Sequence, residues 1–142
     1  MLLEWDQTIA TGINVIDDQH KVLFRLINDV FEICQGNQCS ANVKKVFNTL
    51  ENYIVHHFNA EEAIQIKTKY PDYKFHKTEH GNFVDHFLFI QSEFVELGSS
   101  PDLIKQLKSL LVDWLLQHIE KQDKKLAGFL HSFEREHCID FN

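Results

Sequence analysis

Five histidines interrupt the apolar faces of predicted helices in this chain, which has nine histidines among its 142 residues. They are His20, His57, His76, His80 and His118. Glu61 follows His57 at a spacing of four, which places both side chains on one face of a helix. Unpartnered imidazoles and carboxylates are costly to bury, so such a set has to bind something. Imidazole nitrogen combined with carboxylate oxygen suits first-row transition metals.

A second carboxylate is expected from the fourth helix, because a pair of carboxylates can bridge two metal ions. Asp123 is the nearest candidate, five residues after His118. This spacing corresponds to about 140° on an ideal α-helix. Asp123 can therefore reach the site only across the helix face or through a π-type turn, a feature that is frequent at functional sites. Five imidazoles, two bridging carboxylates and a bridging hydroxide would leave two octahedral ions with one open position.

Clusters of turn and capping residues divide the chain into four amphipathic segments. The clusters lie around 34–40, at 67–73 and at 96–102. We expect an N-terminal arm over 1–16 and helices at about 17–35, 41–66, 74–97 and 101–131. Short loops make consecutive helices antiparallel, so the sequence predicts an all-α fold. The expected architecture is an up-down-up-down four-helix bundle that forms a single domain over 1–142.

This topology would bring all the candidate ligands to one end of the bundle. His20 lies near the start of the first helix, and His57 and Glu61 lie near the end of the second. The other histidines lie at the start of the third helix and in the later part of the fourth. Unrelated buried histidines would have no reason to converge on one layer. The opposite end of the bundle keeps an apolar core.

An apolar pocket is predicted beside the open metal position. Its expected lining residues are Phe24, Ile54, Trp114, Leu115 and Ile119. A dry pocket slows the protonation and loss of a bound small molecule. Neutral imidazoles donate less negative charge than carboxylates do, so this ligand set favours reversible binding over oxygenation.

Charge and composition exclude several classes of partner. A net charge of −7 argues against binding to nucleic acid or to anionic membranes. The sequence has no long apolar segment and no signal-peptide pattern at its N-terminus, so we expect a cytoplasmic protein without a membrane anchor. Cys34, Cys39 and Cys138 lack a paired zinc spacing and are expected to be reduced thiols.

The remaining histidines are expected at the surface or at the rim of the site. They are His56, His86, His131 and His137. Glu134 and His137 form one Glu-x-x-His pair, a spacing that ferritin-like di-iron bundles use twice together with two further glutamates. The other core positions supply neither, so we interpret this pair as a chance occurrence.

The motifs that carry the candidate ligands resemble those of the hemerythrins, specifically the single-domain bacteriohemerythrins. The motifs are "GINVIDDQH", "HFNAEE", "YPDYKFHKTEH" and "WLLQHIEKQD". The resemblance runs from Trp5 to about Leu130. This chain departs from the family pattern at Gln65, where the family often has Met, and in the tail "HSFEREHCIDFN", which runs past the family's usual end.

The resemblance implies a non-haem di-iron centre, two Fe ions joined by an oxo or hydroxo bridge, that binds O2 reversibly. The implied role is storage, delivery or scavenging of O2 without enzymatic turnover, with NO or small anions as further ligands and a monomer as the expected state. The implied ligands are His76, His80 and His118 at one iron, His20 and His57 at the open iron, and Glu61 and Asp123 as bridges. Trp114 and Leu115 resemble family residues that shield the site. A di-iron enzyme or repair protein that handles NO, and an O2 or redox sensor, are the alternatives.

Overall fold

Four long helices account for most of the chain in the computed structural model, which describes residues 2–36 and 40–142. Helix α1 spans Asn14–Cys34, α2 spans Ser40–Thr68 and α3 spans Tyr73–Leu97. A fourth helical run covers 101–137 and is called α4 below. The described residues include no strand, and each helix packs against the next one along the chain. The predicted all-α four-helix bundle is confirmed.

Helix α4 changes its winding along its length. Its successive segments are α-helical Pro101–Lys108, π-helical Ser109–Trp114, α-helical Leu115–His118, π-helical Ile119–Asp123 and α-helical Lys124–His137. Backbone hydrogen bonds in a π-helix join residues five apart, so residues at that spacing share a face. The π-type turn considered for Asp123 is present, and it keeps Asp123 on the inner face together with His118.

Helix α1 begins at Asn14, earlier than the predicted start near residue 17, because the loop before it is fixed by side-chain hydrogen bonds. The Asp17 carboxylate accepts hydrogen bonds from the backbone N–H groups of Thr11, at 2.8 Å, and Gly12, at 3.1 Å. Gly12 has a φ of +82°, and a Cβ there would lie 2.9 Å from Nε2 of His131. Both the backbone angle and the close approach favour glycine.

Helix α4 also continues past its predicted end, to His137 rather than to about residue 131. The rings of Phe133 and His137 stack at 3.9 Å between centroids, which supports the extra turns. The segment after α4 then returns to the start of α1, where Asn142 accepts a hydrogen bond from the Asn14 N–H at 2.6 Å. Asn142 also donates to the carbonyl oxygen of Gly12 at 3.1 Å. The tail therefore holds the start of the helix that carries His20.

The N-terminal arm packs along α1 through one asparagine. Asn28 Oδ1 accepts hydrogen bonds from the N–H groups of Leu2 and Leu3, and its amide donates to the Leu3 carbonyl at 2.8 Å. Leu3 is buried in the apolar core. The predicted arm thus forms part of the fold. No helix among the described residues combines the length and the apolar character needed to cross a lipid bilayer.

Two apolar clusters divide the bundle interior, and a polar layer lies between them. In α1, Ile16 belongs to the smaller cluster and Leu23 to the larger one, with His20 between them. In α4, Ile119 belongs to the larger cluster and Leu126 to the smaller one, on either side of Asp123. The predicted apolar core is the larger cluster. The smaller cluster closes the end of the bundle that is nearer to the polar layer. Apolar side chains therefore shield the polar layer from water on both sides.

The cysteines described by the structure are unpaired. Cys34 is buried at the end of α1 and Cys138 is exposed after α4, and both are free thiols. Burial raises the pKa of the Cys34 thiol to about 11. Cys39, with residues 37 and 38 of the turn predicted around 34–40, lies outside the described residues.

Candidate metal centre

Seven buried polar side chains meet in the layer between the two apolar clusters, and each is at most 4% exposed. They are His20, His57, Glu61, His76, His80, His118 and Asp123. All four helices contribute. The antiparallel topology brings the starts of α1 and α3 beside the end of α2 and the later part of α4. The structure brings together every residue that the sequence suggested as a ligand.

Glu61 divides its two oxygen atoms between two groups of histidines. Its Oε1 lies 3.3 Å from Nε2 of His76 and 3.3 Å from Nε2 of His80. Its Oε2 lies 3.1 Å from Nε2 of His57. The two oxygens of one carboxylate therefore face two different sets of imidazole nitrogens.

Asp123 divides its oxygens in the same way. Its Oδ1 lies 3.1 Å from Nε2 of His76 and 3.2 Å from Nε2 of His118. Its Oδ2 lies 3.1 Å from Nε2 of His20. This arrangement defines a three-histidine position, formed by His76, His80 and His118, and a two-histidine position, formed by His20 and His57. One oxygen from each carboxylate faces each position.

The nitrogen–oxygen distances fit pairs of ligand atoms bound to a shared metal ion. Two atoms bonded to one ion at about 2.1 Å and at right angles lie about 3.0 Å apart, close to the nitrogen–oxygen distances of 3.1–3.3 Å measured here. Most of these atoms have no hydrogen-bond partner among the described residues. They are both oxygens of Glu61, Oδ1 of Asp123 and Nε2 of His20, His76, His80 and His118. The cluster is therefore suited to two metal ions, which would satisfy these buried atoms.

Close contacts between imidazoles and carboxylates shift the pKa values of the cluster. Burial lowers the pKa of His76, but its contacts with the anionic Asp123 and Glu61 outweigh burial and raise that pKa to about 10. Burial acts to raise the pKa of both carboxyls, yet the surrounding imidazoles hold the pKa of Glu61 and of Asp123 well below the usual range. Metal ions compete with protons for these imidazoles, so metal binding releases protons and strengthens as pH rises.

Three of the five imidazoles donate their Nδ1–H to an acceptor on the preceding helix. The pairs are His57 with Gln19 Oε1 at 2.7 Å, His80 with Glu62 Oε2 at 2.9 Å, and His118 with Glu79 Oε1 at 3.0 Å. A proton on Nδ1 leaves the lone pair of Nε2 directed into the cluster, which is the tautomer that a metal requires. Sequence reasoning missed these three acceptors. A usable signal existed, because each is adjacent in sequence to a predicted ligand.

Aromatic rings also hold two of the imidazoles. Phe58 stacks flat on His80, with 3.7 Å between ring centroids and an interplanar angle of 2°. Trp114 stacks on His118 at 4.8 Å and 9°. Sequence reasoning did not single out Phe58, although it directly follows the ligand His57. Both rings restrict the imidazoles of the three-histidine position.

The predicted O2-pocket residues lie in the larger apolar cluster. Phe24, Ile54, Leu115 and Ile119 are buried there, and the partly buried Trp114 packs against the cluster. Their position next to the polar layer would keep one side of the centre dry. Their role as the walls of an O2 pocket stays a prediction.

The histidines that were expected to lie away from the centre do so. His56, His86 and His137 are exposed, and His131 is half-buried beside the loop before α1. Glu134 contacts Nδ1 of His131 at 3.0 Å, and it is not part of either group of candidate metal ligands. The pair formed by Glu134 and His137 therefore lies outside the cluster of candidate metal ligands.

Gln65 lies one helical turn beyond Glu61 and is fully buried. Neither atom of its side-chain amide has a hydrogen-bond partner among the described residues. The hydroxyl of Tyr70 is likewise buried without a partner in the same part of the chain. Gln65 thus places an unsatisfied amide one helical turn from the polar layer.

Comparison with known proteins places this arrangement in context. The family model described as the hemerythrin HHE cation binding domain matches residues 11–130. A bacteriohemerythrin of Pseudomonas aeruginosa is 34% identical over 129 residues, which cover 90% of this chain and 79% of the relative. A bacteriohemerythrin of Methylococcus capsulatus is 30% identical over 125 residues, which cover 87% of this chain and 92% of the relative.

The fold is also similar to a solved structure. A crystal structure of wild-type hemerythrin superposes with a TM-score of 0.78 at 28% identity. The superposition covers 90% of this chain and 97% of that one. The similarity therefore extends over most of both chains.

Proposed function

The chain belongs to the hemerythrin family, and from that premise we propose that it binds O2 reversibly at a di-iron centre, for storage, delivery or scavenging of oxygen. The hemerythrin domain binds a di-iron centre, and proteins of this family are generally non-enzymatic oxygen-binding proteins. When bound, the two irons supply the electrons and the open coordination position that O2 requires.

The proposed ligand assignment has two unequal positions. His76, His80 and His118 would hold one iron, His20 and His57 would hold the other and leave it an open site, and Glu61 and Asp123 would supply an oxygen to each. The observation that carries the assignment is the division of each carboxylate, whose two oxygens face different groups of histidines at 3.1–3.3 Å. The smaller number of imidazoles at the two-histidine position leaves room there for a small molecule.

The chain's contribution to reversibility is a dry and rigid surrounding. The apolar clusters on both sides of the layer exclude water, which slows protonation and loss of a bound molecule. The Nδ1–H bonds at His57, His80 and His118 fix those imidazoles in the ligating tautomer. In our proposal the apolar walls of the O2 pocket include Leu115 and Ile119. A monomeric state and a cytoplasmic location stay predictions of the sequence.

The test is whether bound O2 is released from the protein unchanged. The iron-loaded, reduced chain is exposed to air and then to vacuum while its visible absorption is recorded. We expect a charge-transfer band that appears with air and disappears under vacuum over repeated cycles. His56→Ala, a change at an exposed histidine, is the matched control and should behave like the parent. One-way bleaching, or turnover of NO with an added reductant, would contradict the proposal and favour the enzyme alternative.

A further inference from the structure

The first three helices each support a ligand carried by the next helix. Gln19 of α1 supports His57 of α2. Glu62 of α2 supports His80 of α3, and Glu79 of α3 supports His118 of α4. Each supporting residue accepts the Nδ1–H on the outer side of the imidazole. These three acceptors form an outer shell of hydrogen-bond partners around the cluster.

The supports differ in charge between the two metal positions. The three-histidine position has two carboxylate acceptors, Glu62 and Glu79. The two-histidine position has only the neutral amide of Gln19. Nδ1 of His20, its other imidazole, has no hydrogen-bond partner in the part of the chain that the structure describes. Among the residues that accept an imidazole Nδ1–H, the negative charge thus lies behind one position, and the Asp17 carboxylate acts on His20 only through space.

This asymmetry changes how strongly the imidazoles bind a cation. A carboxylate that accepts the Nδ1–H raises the basicity of Nε2 and makes it a stronger metal ligand, whereas a neutral amide does so less. The side chains of Glu62 and Glu79 are 16% and 28% exposed. They retain part of their hydration, which lowers the desolvation cost of a full negative charge at the edge of the cluster.

We propose that Glu62 and Glu79 are positioning residues that make the three-histidine position the tighter metal position, while the neutral Gln19 keeps the two-histidine position weaker. The inference rests on the ligand assignment of the proposed function. The ion at the two-histidine position, where the open coordination site lies, is then bound last and lost first. The charge of the outer shell, in addition to the number of imidazoles, sets this order.

The experiment is a titration of the iron-free full chain with Co²⁺ under anaerobic conditions, followed by visible absorption. The parent chain should bind two ions in two steps. In Glu62→Gln/Glu79→Gln the side-chain oxygen can still accept the Nδ1–H, so only the charge is lost. We expect the first step to weaken by about 10- to 100-fold and the second to stay unchanged. Glu96→Gln removes one negative charge from an exposed site on α3, away from the imidazoles, and should change neither step.

The converse variant guards against a trivial folding defect in the double variant. Gln19→Glu adds a carboxylate behind His57 and should tighten the second step while leaving the first in place. Circular dichroism of each iron-free variant checks that helix content is retained. The inference is overturned if the double variant matches Glu96→Gln, if both steps weaken equally, or if Gln19→Glu leaves the second step unchanged.

Cobalt binding needs no O2, so this result and the result for the proposed function can be told apart. A chain that binds Co²⁺ in two unequal, charge-dependent steps but fails to bind O2 reversibly would refute only the proposed function. Reversible O2 binding with cobalt steps that ignore these carboxylates would refute only this inference. A parent chain that binds no Co²⁺ would refute the ligand assignment and both proposals.

Discussion

Replacing Gln65 with methionine should stabilise the iron-free protein, because the glutamine amide is fully buried and lacks hydrogen-bond partners among the described residues. A buried polar group without a partner costs about 1–3 kcal/mol. Methionine has a similar volume and flexibility, so repacking costs less than about 1.5 kcal/mol. The expected net effect is an increase of about 1–2 kcal/mol in the free energy of unfolding.

The increase should be visible in both chemical and thermal unfolding. At about 2.1 cal/mol/K of unfolding entropy per residue, a chain of 142 residues gains about 3 °C in Tm for each kcal/mol. We therefore expect Gln65→Met to raise Tm by about 3–7 °C. Urea unfolding of the iron-free protein, followed by circular dichroism, gives the free energy directly, with an unchanged dependence on urea concentration.

Gln91→Met is the matched control, because Gln91 is also buried but its amide donates to Asn48 Oδ1 at 2.9 Å. The same substitution there removes a hydrogen bond and should lower the free energy of unfolding by about 1 kcal/mol. The two substitutions should therefore change the free energy of unfolding in opposite directions. A loss of stability in Gln65→Met as large as that in Gln91→Met would contradict this prediction, because it would show that the Gln65 amide has hydrogen-bond partners.

Three further predictions concern single groups. His118→Ala should lower the iron-to-protein ratio of chain purified without chelators, whereas His56→Ala should leave it unchanged; equal iron contents would contradict the ligand assignment. The pKa of His76 is raised from 6.5 to about 10, so its stabilising contribution is complete below pH 6.5 and is lost toward pH 10. Urea unfolding of iron-free protein should show that decline, less steeply in His76→Gln. Ser100 accepts the Leu103 N–H at 3.2 Å, so Ser100→Ala should cost about 1 kcal/mol in urea unfolding, and no loss would mean that this cap is unimportant.

The side chains that meet in the polar layer could be predicted from sequence because helical spacing and bundle topology together decide which residues converge there. Spacings of three and four place His57 and Glu61 on the same face as the apolar core residues of their helix. The antiparallel topology then brings the ends of neighbouring helices together. Even the unusual winding near Asp123 left a signal, since its distance of five residues from His118 does not fit an α-helix.

The outer shell could not be predicted in the same way, because its contacts join residues that are distant in sequence. The three supporting hydrogen bonds span separations of 38, 18 and 39 residues. Their geometry depends on how neighbouring helices are rotated about their axes, which hydrophobic spacing fixes only coarsely. The start of α1 is a similar case, since Asn142 caps it from the other end of the chain.

X-ray diffraction from crystals of the iron-loaded chain, with anomalous data collected at the iron absorption edge, would locate the metal ions themselves. We expect two iron peaks about 3.5–4 Å apart, one at each histidine position, with Glu61 and Asp123 contacting both. A single peak in the polar layer would contradict the bridging role of the two carboxylates. Iron bound elsewhere, with only water between the imidazoles, would contradict the metal centre itself.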